Sequence, residues 1–237
     1  MKKVVLVLLM LCTCQLMWAH AIWIETQPVG QKNKAQEVKV FFGEYADKDI
    51  TPAAQWFSDL KNFKIVAIAP DGSSTTLATA MASDHYKTSF TPTQDGVYTI
   101  SLEHPVKDLY HGTKLYYFSS ATVKVGSGDK GNAPTANKNL LSLLHKDAAS
   151  VKKGGEVKVR ALFEGKPAKH KEIKVFAPNG WSKTLWANEA GEVSFIPLWE
   201  GKYQVEIAHT DNTAKEENGN KIEKTFNAAT YMLFVTE

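Results

Sequence analysis

The chain has 237 residues, with 28 Lys and Arg against 25 Asp and Glu, seven His and two Cys. So even a charge balance excludes a nucleic-acid surface, and the length suits two domains of roughly 100 residues, each with a modest core. Beyond the first residues no stretch is apolar for long enough to form a transmembrane helix, so the protein is expected not to span a membrane.

Residues 1–19 read as a secretory signal. Lys2 and Lys3 form its charged start, and Val4 to Leu11 form an apolar core too short to cross a bilayer. Cleavage after Ala19 leaves His20 as the mature N-terminus. Cleavage after Ala21 fits the small-x-small rule better, through Ala19-His20-Ala21, and lipidation at Cys14 is a third route through a poor lipobox. The expected location is the periplasm. Both cysteines, Cys12 and Cys14, fall in the signal, so the mature chain needs no disulfide and offers no thiolate to a metal. Removal of Lys2 and Lys3 leaves 26 basic residues against 25 acidic ones.

The mature chain is a tandem duplication. Ser89, Phe90, Pro92, Gly96, Tyr98 and His104 recur 105 positions later as Ser194, Phe195, Pro197, Gly201, Tyr203 and His209. Glu37-Val38-Lys39-Val40 matches Glu156-Val157-Lys158-Val159, and Ala69-Pro70-Asp71-Gly72 matches Ala177-Pro178-Asn179-Gly180. Short alternating runs separated by such turns predict six or seven strands per unit. The expected fold is all-β: two tandem immunoglobulin-like β-sandwiches over residues 20–126 and 137–237, joined by a polar linker at 127–136. The aromatic after the turn glycine, Tyr98 or Tyr203, resembles a tyrosine corner. Gly126-Ser127-Gly128-Asp129-Lys130-Gly131 spells a dinucleotide fingerprint, but Pro134 and the lack of a following helix deny a phosphate its helix N-terminus.

The first unit carries eleven extra residues between its matched anchors. They include Glu44 to Asp49 and a Thr51-Pro52 pair that predicts the start of a short helix carrying Trp56. An elaborated loop on one copy of a duplicated scaffold is a natural place for function.

Four residues are candidate metal ligands. A mature N-terminal His20 can chelate through its amine and imidazole together, and added imidazole makes a nitrogen-rich site suited to nickel, cobalt or copper. In the bland alternative His20 is only part of the cleavage motif. His104 and His209 end strands with inward parity, so each is either a ligand or a hydrogen-bonding cap of its core. Glu44 can add an oxygen donor, though Glu44, Asp47 and Asp49 lack the pattern of a calcium loop. His85, His111, His145 and His170 lie in polar or turn-like surroundings and are expected at the surface. No zinc, lipase or metalloprotease signature is present, and the protein is read as no enzyme. A copper oxygenase with a histidine brace would need the same His20 terminus and further groups that the sequence does not specify. Trp56 and Trp181 support a different reading, a metal-independent interaction or carbohydrate-associated module.

Ala19-His20-Ala21-Ile22-Trp23-Ile24-Glu25 resembles the start of a family of secreted bacterial proteins, long known as a domain of unknown function and assigned as periplasmic components of nickel/cobalt uptake systems. Phe42-Gly43-Glu44-Tyr45, Asp49, Pro52 and Pro70-Asp71-Gly72 resemble its next blocks. The resemblance implies a mature N-terminal histidine, binding of a divalent transition metal, and delivery to an inner- or outer-membrane metal transporter. Several members carry Gly-His where this chain has Gly43-Glu44, which puts one histidine ligand, and nickel specificity with it, in question.

Overall fold

A computed structural model describes residues 20–131, 137–145, 151–217 and 219–237; the expected signal at 1–19 and residues 132–136 of the expected linker lie outside them. The described chain is built from strands. The first unit contains β1 (Ala21–Glu25), β2 (Val29–Gly30), β3 (Gln36–Glu44), β4 (Asp49–Ile50), β5 (Lys64–Ile68), β6 (Ser74–Thr76), β7 (Ala80–Met81), β8 (Tyr86–Phe90), β9 (Gly96–Pro105) and β10 (Thr113–Val125). The second contains β11 (Leu141–His145), β12 (Val151–Lys152), β13 (Val157–Phe163), β14 (Lys166–Pro167), β15 (Glu172–Phe176), β16 (Ser182–Trp186), β17 (Glu192–Phe195), β18 (Gly201–Asp211), β19 (Lys215–Glu217), β20 (Asn220–Ile222) and β21 (Lys224–Thr236). No helix among the described residues is long and apolar enough to cross a membrane.

The two units share one sheet. Its order is β16-β15-β18-β21-β10-β9-β5-β6, and it changes unit where β21 lies parallel to β10, with Tyr117 opposite Ala228 and Ser119 opposite Thr230. A sheet β1-β3-β8-β7 packs on one side of it and a sheet β11-β13-β14, with β17, on the other. Strand parity makes this explicit. On β10, Leu115, Tyr117, Ala121 and Val123 enter the first core, and Phe118 enters the second. On β21, Ala228 belongs to the first core, and Ala229, Tyr231, Leu233 and Val235 to the second. Tyr98, Ile100 and Leu102 of β9 therefore point to one face of the shared sheet, while Tyr203, Val205 and Ile207 of β18 point to the other.

Burial of the apolar side chains drives this arrangement. Ile22, Ile24, Val38, Val40, Ile100 and Leu102 are fully enclosed in the first core, and each contributes about 1.5–3 kcal/mol relative to exposure. A third, smaller cluster of Trp23, Phe41 and Met232, flanked by Tyr45 and Phe234, ties the two units together.

The repeated tyrosines do the same work in both units. The Tyr98 hydroxyl accepts from the Thr93 and Gln94 N–H groups, both at 2.9 Å. The Tyr203 hydroxyl accepts from the Trp199 N–H at 3.0 Å. Residues 126–131 are pinned along the start of β9, where the Val97 N–H donates to the Lys130 carbonyl at 2.8 Å. Gly131 is required there, because a Cβ would stand 2.3 Å from the Val97 carbonyl oxygen. This close backbone contact explains the glycine without any nucleotide.

The extra segment does not form the expected helix. Two 3-10 turns, Ala53–Gln55 and Leu60–Asn62, replace it, with Pro52 at the cap of the first. Ser58, at φ 56°, interrupts any continuous helix between them. Trp56, Leu60 and Phe63 instead anchor the segment in the first core, so Trp56 is a core residue and no exposed loop aromatic.

Candidate functional site

His20 precedes β1, whose Ala21 pairs with Gly43 and Ile22 with Phe42. One further step of that register puts His20 opposite Glu44. The exposed imidazole rests on Phe42, with ring centroids 5.5 Å apart. Glu44 begins a tight hairpin in which it pairs with Asp49 and Gly43 pairs with Ile50. Gly43 is needed for the fold-back: its φ is +152°, and a Cβ would meet the Asp49 carbonyl oxygen at 2.1 Å. Glu44 is half-buried. Burial raises its pKa above the usual carboxylate value, Asp47 adds to the rise, His20 opposes it, and Asp49 adds to it again.

A second carboxylate, Glu206, comes from the other unit. Strand β1 crosses the shared sheet obliquely. The Ile24 N–H donates to the Ser119 hydroxyl of β10 at 3.0 Å, and the Thr230 hydroxyl of β21 donates to the Ile22 carbonyl at 2.7 Å. The next residue with this parity is His20, and the next strand is β18, where Glu206 lies opposite Thr230 and Lys174. Burial pushes the Glu206 carboxyl up to about 7, Lys174 opposes the shift, and the charge of Glu44 adds to it. Glu206 in turn helps raise the pKa of buried Tyr117, after burial itself. Phe42 packs edge-on against Tyr117 at 5.8 Å. Glu44 is thus coupled to His20 on one side and its charge reaches Glu206 on the other, with the rings of Phe42 and Tyr117 nearby.

The other two candidate histidines have different partners. His104 is buried at the inward end of β9, with Nε2 3.0 Å from Asp59 Oδ1. Asp59 also accepts from the Lys107 N–H at 2.8 Å. Burial opposes ionisation of Asp59, but the Lys107 and His104 hydrogen bonds outweigh it and hold the carboxyl below its ordinary value. The pair fastens the extra segment to β9. His209 faces the second core, on the side of the sheet away from His20, with Nδ1 3.1 Å from Lys171 Nζ and its ring 4.6 Å from that of Phe163. Burial, then Lys171, depress its pKa, while Asp211 and Glu164 oppose them. His145, expected at the surface, is buried because it shares the inward parity of Leu141 and Leu143, which enter the second core, and its Nδ1 is 3.0 Å from the Lys158 carbonyl. His170 is exposed as expected, 2.8 Å from Glu189.

Sequence reasoning missed Glu206. It stands between core residues Val205 and Ile207, on what reads as the solvent face of a strand, and nothing local shows that the first unit covers that face. Among the described residues no group of three or more His, Cys, Asp or Glu side chains is arranged to hold a metal ion. The donors present are one imidazole and two carboxylates, a hard-to-intermediate set that needs a further nitrogen to favour nickel or copper.

These features define an all-β protein of two duplicated units sharing a sheet, with a polar cluster where the first strand crosses into the second unit. Residues 17–211 match the family model "Domain of unknown function (DUF4198)", and the chain belongs to that family. No curated protein matches it. Among solved structures it is similar to a DUF4785 family protein from Legionella pneumophila, at 12% identity and TM-score 0.33, over 78% of this chain and 51% of that one. It is also similar to trypsin-activated alpha-2-macroglobulin from Escherichia coli, at 14% identity and TM-score 0.29, over 92% of this chain and 16% of that one. The chain thus spans about half of the first and a sixth of the second.

Proposed function

We propose that this is a non-enzymatic periplasmic protein of two immunoglobulin-like sandwiches that binds a divalent transition metal and hands it to a membrane transporter. The metal is nickel, cobalt or copper. The supporting observation is the register that sets His20 opposite Glu44, with Glu206 on the strand next to the one that holds the start of β1. Cleavage after Ala19 frees the α-amine of His20 beside its own imidazole, which supplies the nitrogen that the side chains alone lack. The four donors are then that amine, the His20 imidazole, and the carboxylates of Glu44 and Glu206. The chain's own contribution is to fix them: the β1–β3 ladder holds His20, Gly43 permits the hairpin that carries Glu44, and Thr230 fastens the start of β1 to β21, the neighbour of β18.

Intact mass of the secreted protein establishes the terminus, and calorimetric titration with each metal establishes affinity. Mature protein starting at His20 is expected to bind at least about tenfold tighter than its His20→Ala and Glu206→Gln variants. A mature chain that starts at Ile22, or equal affinity in all three proteins, refutes the assignment.

A second reading, a metal-independent interaction module, draws on Trp181 and Trp186, which are exposed at 40% and 67%. It predicts partner binding that survives EDTA.

A further inference from the structure

The duplication supplies an internal control for surface residues. The loop between β17 and β18 repeats the loop between β8 and β9, and the same backbone contacts hold both. Pro92 and Pro197 are buried, Tyr98 and Tyr203 receive the loop N–H groups, and the Asn33 and Gly154 N–H groups donate to the Pro92 and Pro197 carbonyls at 2.7 and 2.9 Å. The neighbouring turns also match. Asp71 Oδ1 accepts from the Ser73 N–H at 2.9 Å, and Asn179 Oδ1 accepts from the Trp181 N–H at 3.1 Å. The side chains do not match. Thr91, Thr93, Gln94 and Ser73 in the first unit are Ile196, Leu198, Trp199 and Trp181 in the second. In the first unit Gln94 Nε2 donates to Asp71 Oδ2 at 2.7 Å; in the second, Trp199 packs on Trp181 with ring centroids 5.8 Å apart. The fold accepts polar residues at these positions; of the four large apolar ones Trp199 packs against the second core, and the fold does not explain the other three. Three stay open to water, with Trp181 exposed at 40%, Ile196 at 55% and Leu198 at 58%.

We infer that this tip of the second unit is a peripheral membrane-docking site, taking the surface of a phospholipid bilayer with anionic headgroups. The exposed side chains come from two turns brought together by the Trp181–Trp199 contact. Tryptophan prefers the headgroup boundary, and leucine and isoleucine reach the acyl region beneath it. The charges around the tip complement an anionic surface. Lys152 and Lys183 are exposed there, Lys183 standing where the first unit has Thr75. The acidic residue in the loop, Glu200, is neutralised by Lys153 at 3.4 Å. The inference is independent of the metal site and places the protein beside the membrane where a transporter would receive its cargo.

The test uses the mature full-length protein and a variant that installs the first unit's residues: Trp181→Ser, Ile196→Thr, Leu198→Thr and Trp199→Gln. Binding is read by co-sedimentation with vesicles of phosphatidylethanolamine and phosphatidylglycerol, and melting temperature controls for folding. The wild type is expected to co-sediment, more weakly with vesicles of phosphatidylcholine alone. The variant should melt close to the wild type and lose at least about tenfold in vesicle affinity. A wild type that stays in the supernatant, or a folded variant that binds as well, overturns the inference. So does tip-dependent binding to a cell-wall polysaccharide with none to vesicles. If the fourfold variant unfolds, Leu198→Thr alone decides: unchanged binding overturns the inference and reduced binding supports it.

Discussion

Ser101 on β9 and Glu206 on β18 hold the same place in the repeat, and their surroundings differ. Ser101 is covered by the second unit's entry segment, with its hydroxyl 3.0 Å from Asn139 Oδ1, and the Asn139 amide donates to the Leu102 carbonyl at 3.1 Å. Glu206 lies under the start of the first unit's β1. The difference follows from the parallel β10–β21 seam. Because the seam puts the two cores on opposite faces of one sheet, the outer face of each half-sheet meets the other unit's side of the molecule. A duplication that begins with two equivalent positions thus ends with a small hydroxyl packed against a connecting segment and a buried carboxylate that feels the charge of Glu44 from the other unit. The lesson is that equivalence in a tandem repeat extends to the core-facing side chains and the turns, and stops where the units meet.

The strongest way to break this comparison is to cut the link between units. Trp23 is fully buried with Phe41 and Met232, its ring 5.5 Å from that of Phe41. Trp23→Ala should cost about 3–5 kcal/mol. At about 2–4 °C per kcal/mol for a chain of this size, the melting point should fall by roughly 6 °C or more. Calorimetry should also show one transition becoming two, since the second core contains no residue of β1. A single transition at the wild-type temperature would show that the Trp23 cluster does not couple the units.

Much of the fold was legible because repeats fix registers. Strands β9 and β18, the Pro-Asp-Gly and Pro-Asn-Gly turns and the hydroxyls of Tyr98 and Tyr203 follow from residues that recur at constant spacing. The seam was not legible as a pairing, because parity tells which face a side chain takes and not which strand lies alongside. A weaker signal was present. Both β10 and β21 are long, and their sequences keep apolar or small residues at odd and even positions alike, as expected for strands buried on both faces. Of the proposed ligands, His20 was read from the signal and Glu44 from the loop. Glu206 could not be found, since its position within reach of the charge of Glu44 depends on that seam. For His104 and His209, spacing gave the inward parity correctly, but their partners, Asp59 and Lys171, come from segments that the repeat does not align.

A smaller effect is expected at the first of those partners. Asp59→Asn keeps the shape and removes the charge that His104 and the Lys107 N–H meet. The loss should be about 1–3 kcal/mol, confined to the first unit. Limited proteolysis should then cut within residues 51–63 before any site in the second unit. Equal cutting of both units would deny the pair its anchoring role.

The smallest effect, and the one that most sharpens the contrast, lies at His209. Its folded pKa is depressed by burial and by Lys171, with Asp211 and Glu164 opposing. The neutral imidazole is therefore the form that the native state prefers. The unfolded chain takes up the proton first as pH falls below about 6.5, so the histidine's contribution is complete above that pH and is lost as pH drops toward its folded pKa. His209→Gln removes that loss. Urea midpoints of wild type and variant should differ by a constant amount above pH 7. The gap should then move in the variant's favour by a few tenths of a molar at most between about pH 6.5 and 5. Lys171→Met should move the wild-type curve in the same direction, by relieving the repulsion that keeps the imidazole neutral. If the variant and wild-type curves stay parallel through this range, the ammonium beside His209 does not govern its protonation, and the two repeated histidines differ only in what covers them.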